Sequence, residues 1–206
     1  STSLDFVSSE DKVCTITNDD IAPSLTLTKK IYINYGGTAT ADNWALTATG
    51  PTDISGAGSV SSGSSFKAGT YTLSELGPNG YDAGSWVCND VTLEGNTIEI
   101  GINDDITCTI TNSDVQPKLT VNKIVEGSTR EPNSFTFYVE DSSENKTDVK
   151  DEVQKLFNVG SYTVIEEPDE DFNTKIGEVG EDCAIDGTIY LASGDEKTCT
   201  ITNTRK

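Results

Sequence analysis

Six polar residues stand on strand faces that are otherwise apolar, and their types can do chemistry together. They are Lys29, Glu75 and Asn112 in the first half of the chain, and Lys123, Glu166 and Asn203 in the second. Leu25, Leu27 and Lys29 alternate onto one face of a predicted strand, as do Leu119, Val121 and Lys123. Tyr71, Leu73 and Glu75 share a face, as do Tyr162, Val164 and Glu166. So do Cys108, Ile110 and Asn112, and Cys199, Ile201 and Asn203. A lone Lys or Glu is costly to bury unless it is paired or neutralised. A first, a late and a last strand can be neighbours in one sandwich, so each trio can meet. Burial favours the neutral forms of an amine and of a carboxyl. A neutral amine can attack an Asn side-chain carbonyl while a protonated carboxyl polarises it and shuttles protons, and ammonia leaves. The product is an isopeptide bond from the first strand to the last. The alternative places Lys29 and Lys123 at strand ends, stems over apolar surface and amines in water, with Asn112 and Asn203 opening turns. Lys30 and Glu167 are the neighbours that the register turns outward.

The elements that position these residues recur. The string Cys-Thr-Ile-Thr-Asn occurs at Cys14–Asn18, Cys108–Asn112 and Cys199–Asn203, with spacings of 94 and 91 residues. Such a period indicates tandem domains of ordinary size. Pro23–Lys29 matches Pro117–Lys123, and Gly69–Glu75 matches Gly160–Glu166. Repeat 1 therefore covers 23–114 and repeat 2 covers 115–206. Thr2–Cys14 aligns without a gap on Gly187–Cys199, so residues 1–22 read as the C-terminal strands of a preceding, truncated repeat. A strand around Lys12–Asn18 would turn Ile16 and Asn18 inward.

Further strands are expected at Trp44–Thr49, Asn96–Ile100, Phe135–Glu140 and Thr188–Leu191, and a short helix at Val149–Phe157. Many short strands between turn residues predict an all-β chain of tandem antiparallel β-sandwich domains, Ig-like or prealbumin-like. The short linkers Asp19–Ala22 and Ser113–Gln116, each followed by Pro, predict domains stacked end to end. Trp44 and Trp86 are expected in the cores.

The net charge of −20 argues against a nucleic-acid partner. No apolar stretch is long enough to span a bilayer. The acidic runs 148–152 and 166–171 lack the spacing of a calcium loop, and with no His there is neither a zinc site nor a Ser/His/Asp set. No metal or cofactor is expected. The five cysteines fit one pair per repeat, Cys88–Cys108 and Cys183–Cys199, with Cys14 unpaired in this chain. Free buried thiols are the alternative, whereas disulfides point to an extracellular location. Asn145-Lys146-Thr147 is a glycosylation sequon.

An early Lys, a late Tyr-Thr-x-x-Glu and an Asn on the last strand resemble the Cna-B-type, SpaA-like prealbumin-fold repeat domains of microbial surface adhesins and pilins. The resemblance covers both full repeats and is most specific over Tyr71–Tyr81 (YTLSELGPNGY). It implies that Lys29 joins Asn112 with Glu75 catalytic, and that Lys123 joins Asn203 with Glu166 catalytic. The paired cysteines depart from the commonest members, and a disulfide could supply the staple instead. The function expected is a structural stalk or fibre segment of a cell-surface adhesin or pilus-like protein, with neighbouring repeats or subunits of the same fibre, or a host or cell-surface ligand, as partners. It would be no enzyme beyond joining its own side chains. The alternative is a module binding a carbohydrate, protein or calcium, with residues 141–157, where the repeats differ, as its place.

Overall fold

The computed structural model describes Val13, Thr15, Ile16, residues 19–178 and residues 180–206. Repeat 1 contains β1 (Ser24–Tyr32), β2 (Ala45–Thr49), β3 (Ile54–Ala57), β4 (Ser59–Ser61), β5 (Gly69–Leu76), β6 (Tyr81–Ala83), β7 (Val87–Cys88), β8 (Thr97–Ile100) and β9 (Asp105–Asp114). Repeat 2 contains β10 (Lys118–Glu126), β11 (Phe137–Asp141), β12 (Lys146–Asp148), β13 (Lys155–Leu156), β14 (Gly160–Glu166), β15 (Phe172–Ile176), β16 (Thr188–Leu191) and β17 (Glu196–Arg205).

Each repeat is a sandwich of two sheets. In repeat 1 the orders are β4-β1-β9-β6, with β7 also on β9, and β3-β2-β5-β8. Repeat 2 repeats the plan as β13-β10-β17-β15 and β12-β11-β14-β16. The alternation seen in the sequence drives this: Leu25, Leu27, Ile106, Cys108 and Ile110 from one sheet meet Leu46, Ala48, Tyr71, Leu73, Ile98 and Ile100 from the other. A second core gathers Leu119, Val121, Val139, Val164, Leu191 and Ile201. Trp44 and Trp86 are both buried.

The sandwiches are antiparallel as expected except at one pair in each repeat, where the first and last strands, β1 with β9 and β10 with β17, are parallel neighbours. Two expectations need correction. Residues 149–157 are not a helix. Glu152 is in the left-handed region at φ 57°, and the segment spends its hydrogen bonds on the edge of β10. Glu152 N–H donates to the Val121 carbonyl at 3.0 Å, Phe157 N–H donates to that of Pro117 at 3.0 Å, and Asp151 accepts the Lys123 N–H at 2.6 Å. The linker is also shorter than expected, since Ser113 and Asp114 complete β9. Cys14 and Asn18 lie outside the described residues, while Val13, Thr15 and Ile16 are exposed and belong to no strand. Among the described residues no helix is long and apolar enough to cross a membrane.

The repeats meet through backbone groups. Val115 N–H donates to the Gly80 carbonyl at 3.0 Å, Gly194 N–H donates to that of Val115 at 2.8 Å, and Val159 N–H donates to that of Tyr35 at 2.7 Å. Gly80 has φ 82°, and a Cβ there would stand 1.9 Å from the Ser193 carbonyl oxygen, so the contact requires glycine. Beside it, Asp114 is only 3% exposed, and its carboxylate accepts the N–H groups of Asn34, Tyr35 and Gly37 at 2.7, 2.8 and 3.0 Å. Burial alone would push its pKa up, but these backbone donors outweigh that and hold it below the usual carboxylate value of 3.8.

Asp114→Ala leaves those donors without their charged partner, and we expect a loss of about 2 kcal/mol in urea unfolding of the chain. Because the folded-state pKa is depressed, the Asp114 contribution is fully present above the ordinary Asp range and is lost as pH falls through the lower folded value. A wild-type advantage that stays constant down through that acid window would contradict this assignment.

Candidate functional site

The parallel pairing places the sequence-predicted trios. On β1 and β9, Lys29 faces Ile110 and Ile31 faces Asn112, so Lys29 and Asn112 lie one step apart on the same inward face. Lys123 faces Ile201 and Val125 faces Asn203 in the same register. Glu75 and Glu166 come from β5 and β14 in the facing sheets. Each trio thus bridges its sandwich, with amine and amide on one sheet and carboxyl on the other.

In repeat 1 the Lys29 Nζ pairs with Glu75 Oε2, and Asn112 Nδ2 donates to Glu75 Oε1 at 2.8 Å. In repeat 2 the Lys123 Nζ lies 3.0 Å from Glu166 Oε2, close but not aligned as a hydrogen bond, and Asn203 Nδ2 donates to Glu166 Oε1 at 2.5 Å. The side chains of Lys29, Lys123 and Glu166 are fully buried, and that of Glu75 is 12% exposed. The strand-end alternative, with lysine amines in water, is therefore wrong. Lys30 and Glu167 are exposed, as their register requires.

Burial pushes both lysine amines below the usual value of 10.5, against the opposing pull of Glu75 on Lys29 and of Glu166 and Asp151 on Lys123. In both repeats the Asn carbonyl oxygen, Oδ1, is buried with no hydrogen-bond donor. Turning either amide by half a rotation exchanges its oxygen and nitrogen and points the carbonyl at the carboxyl. That pairing needs a proton on the carboxyl. An amine that sheds its proton to the adjacent carboxylate supplies it and becomes a nucleophile in the same step.

The roof over each site was not foreseen. The Lys29 Nζ is 4.7 Å from the centre of a Trp44 ring, and the Lys123 Nζ is 4.8 Å from that of Phe135. Edge-on partners complete the roof, Tyr81 on Trp44 at 5.2 Å and Phe172 on Phe135 at 5.1 Å. The available signal was one aromatic at a matching place ahead of the second strand of each repeat, Asn43-Trp44 and Ser134-Phe135.

Both expected disulfides are formed. Cys88–Cys108 joins β7 to β9, and Cys183–Cys199 joins the β15–β16 loop to β17. Asn145 is exposed in the β11–β12 turn, where its Nδ2 donates to Asp141 at 2.9 Å.

Residues 20–110 match the family described as a SpaA-type, prealbumin-like fold domain. Among solved structures, the Bacillus anthracis TIE protein is similar at 15% identity and TM-score 0.53, over 91% of this chain and 34% of that one. This chain thus spans about a third of the TIE protein's length. The C-terminal fragment of the pilus adhesin SpaC from Lactobacillus rhamnosus GG aligns at 12% identity and TM-score 0.40, over 88% of this chain and 97% of that one. The major pilin T-13 of Streptococcus pyogenes aligns at 17% identity and TM-score 0.33, over 89% and 97%. The TIE likeness establishes a shared fold, and the two lower scores carry no argument. No curated protein matches the chain.

The disulfides close short loops, with sequence separations of 20 and 16 residues. Each constrains the unfolded chain, and reduction should cost about 3 kcal/mol per bond. Denaturant unfolding with and without a reductant checks this, and equal midpoints would show that the bonds contribute nothing to stability.

Proposed function

We propose, from the premise that this chain carries a SpaA-like prealbumin-fold domain, that it is a structural segment of an extracellular fibre, an adhesin stalk or pilus-like protein at a cell surface. Its repeats, taken as 23–114 and 115–206 behind a partial repeat at 1–22, are stapled internally by isopeptide bonds between Lys29 and Asn112 and between Lys123 and Asn203. The observation that carries this is the Lys–Glu–Asn trio, present in both repeats with its Lys and Asn buried and the Asn carbonyl oxygen unpaired.

The reaction balances within each trio. A proton passes from the Lys ammonium to the Glu carboxylate. The Lys Nζ attacks the Asn Cγ, while the protonated Glu donates to the developing oxyanion. The tetrahedral adduct collapses, the C–N bond to the Asn nitrogen breaks, and that nitrogen leaves as ammonia with protons relayed through the Glu. One amide replaces another, with no oxidant, metal or cofactor consumed. In this reading the chain acts once, on its own side chains.

The mechanical consequence follows from topology. Tension entering repeat 1 at Pro23 and leaving at Asp114 would otherwise shear β1 along its parallel neighbour β9. A Lys29–Asn112 bond carries that tension from strand to strand and shields residues 30–111. Neighbouring repeats and subunits of the same fibre are the partners it calls for.

Intact mass of the reduced chain tests the reading. The wild type is expected two ammonia masses below the sequence value. Glu75→Ala and Glu166→Ala should each restore one of them. A wild-type mass equal to that of the sequence would exclude the bonds.

A further inference from the structure

The two sites have equivalent roofs but close them by different chemistry. Trp44 and Phe135 each follow a short 3-10 turn, Ala41–Asn43 and Pro132–Ser134. Tyr81 and Phe172 open β6 and β15 at matching places, opposite Asp114 and Arg205 on the last strands. In repeat 1 the Tyr81 hydroxyl accepts the Ala39 N–H at 3.0 Å, which fastens the loop entering Trp44 to the second ring. Phe172 has no hydroxyl, and Phe135 is a smaller ring than Trp44.

Arg130 stands where repeat 1 has Ala39, one residue before the cap of the turn. Its guanidinium carbon is 4.1 Å from the Phe135 ring centre and 5.8 Å from that of Phe172. Nη1 pairs with Asp169 at 2.5 Å, in the loop that leaves Glu166, and Nε donates to Ser134 Oγ at 3.0 Å. One side chain therefore ties the loop carrying the roof to the loop that follows the carboxyl strand. A planar guanidinium suits this double task, stacking on a ring while forking to a carboxylate.

We propose that Arg130 is the latch of the repeat 2 site, holding the Phe135 ring over the Lys123 amine and keeping water from the reacting groups. It is a positioning residue, since it acts through the ring and contacts none of the reacting atoms. The proposal rests on the cross-linking reading of the trio. Repeat 1, latched by the Tyr81 hydroxyl, serves as an internal control in the same molecule.

The charged groups facing Lys123 are few. Glu166 of β14 lies 3.0 Å from its amine, Asp151 on the edge segment beside β10 holds its backbone N–H, and Arg130 shares its ring, while β17 offers the uncharged Asn203. Both carboxylates favour the ammonium form, and it is burial that opposes them. Water admitted by loss of the latch returns the amine toward its ordinary range. The proton then rests more often on the amine than on Glu166, and the neutral amine–acid pair that reacts is less populated.

The test uses the whole chain carrying Arg130→Gln, with peptide mass mapping of each cross-link over time at pH 6 to 10. The expected result is a Lys123–Asn203 bond that forms about tenfold more slowly at pH 7, the effect of a one-unit return of the amine pKa. The slowing should hold at the lower pH values of this range, because the reacting pair and the ion pair bind the same number of protons, while the Lys29–Asn112 bond forms as in wild type. A Lys123–Asn203 rate unchanged by the substitution overturns the proposal, and so does an equal slowing of the Lys29–Asn112 bond. A second readout is independent of the bond: acylation of Lys123 by a water-soluble N-hydroxysuccinimide ester in the Asn203→Ala chain. The amine should be protected with Arg130 present and labelled in the Arg130→Gln background, and equal labelling overturns the latch. If the wild-type chain shows no cross-links at all, the cross-linking reading fails, and the acylation contrast still decides whether Arg130 seals the site.

Discussion

The parallel pairing of first and last strands is the constraint on which the rest of each repeat depends. Strands that are far apart in sequence and run the same way need a long connection between them. Here that connection is the whole of the remaining sandwich. The pairing closes each unit, sets Lys29 one step from Asn112 on the inward face, and sends the chain in at one end and out at the other. With antiparallel first and last strands, the incoming and outgoing chain would lie at the same end, and tension would peel the two strands apart instead of shearing them. The polar trio and the parallel ladder are thus one device, the ladder aligning what the bond would fix.

Placing a lysine and a glutamate inside such a small core is a burden while they stay charged. Each buried ion costs several kcal/mol in lost hydration, and mutual attraction repays that only with excellent geometry and satisfied partners. A single domain holds only about 5–15 kcal/mol in total. The repeat 2 site shows the imbalance plainly: the amine is misaligned with Glu166, and the Asn203 carbonyl oxygen has no donor. Conversion to an amide would remove both charges and leave a neutral donor and acceptor. The roof of Trp44 or Phe135 raises the burden and sharpens the incentive together, because excluding water disfavours the charged pair more than it disfavours the neutral one.

Much of this was legible in the residues. Period-2 alternation identifies the inward face of every strand that bears a trio member, and a polar residue in an apolar row is visible without coordinates. The cysteine count led to the pairing found in the structure. What alternation does not carry is strand direction, so the parallel neighbours were hidden. Residues 149–157 misled because Val149, Val153 and Phe157 are spaced for a helix face, whereas Val149 and Phe157 are buried from an extended segment bound to the edge of β10. Arg130 and Asp114 were invisible for a different reason. Each matters through loops that the fold brings together across distances of 39 and 80 residues, between Arg130 and Asp169 and between Asp114 and Asn34.

The placement of Asp114 extends the argument from one repeat to the next. Asn112, the residue that would receive the cross-link, Asp114, which gathers the β1–β2 loop, and Val115, whose N–H and carbonyl both reach across, follow one another on the same few residues of chain. The matching place in repeat 2 is Arg205, an exposed residue with no such carboxylate to offer. The clamp therefore belongs to the junction and not to the repeat unit. Tension delivered by a Lys29–Asn112 bond would emerge two residues upstream of a carboxylate that anchors the same loop through three backbone donors. From there it enters β10 through a linker whose own hydrogen bonds are already spent on both repeats. A covalent staple inside a unit protects a fibre only if the link between units is not left slack, and at this junction the short linker, the glycine contact at Gly80 and the Asp114 anchor leave little slack to take up.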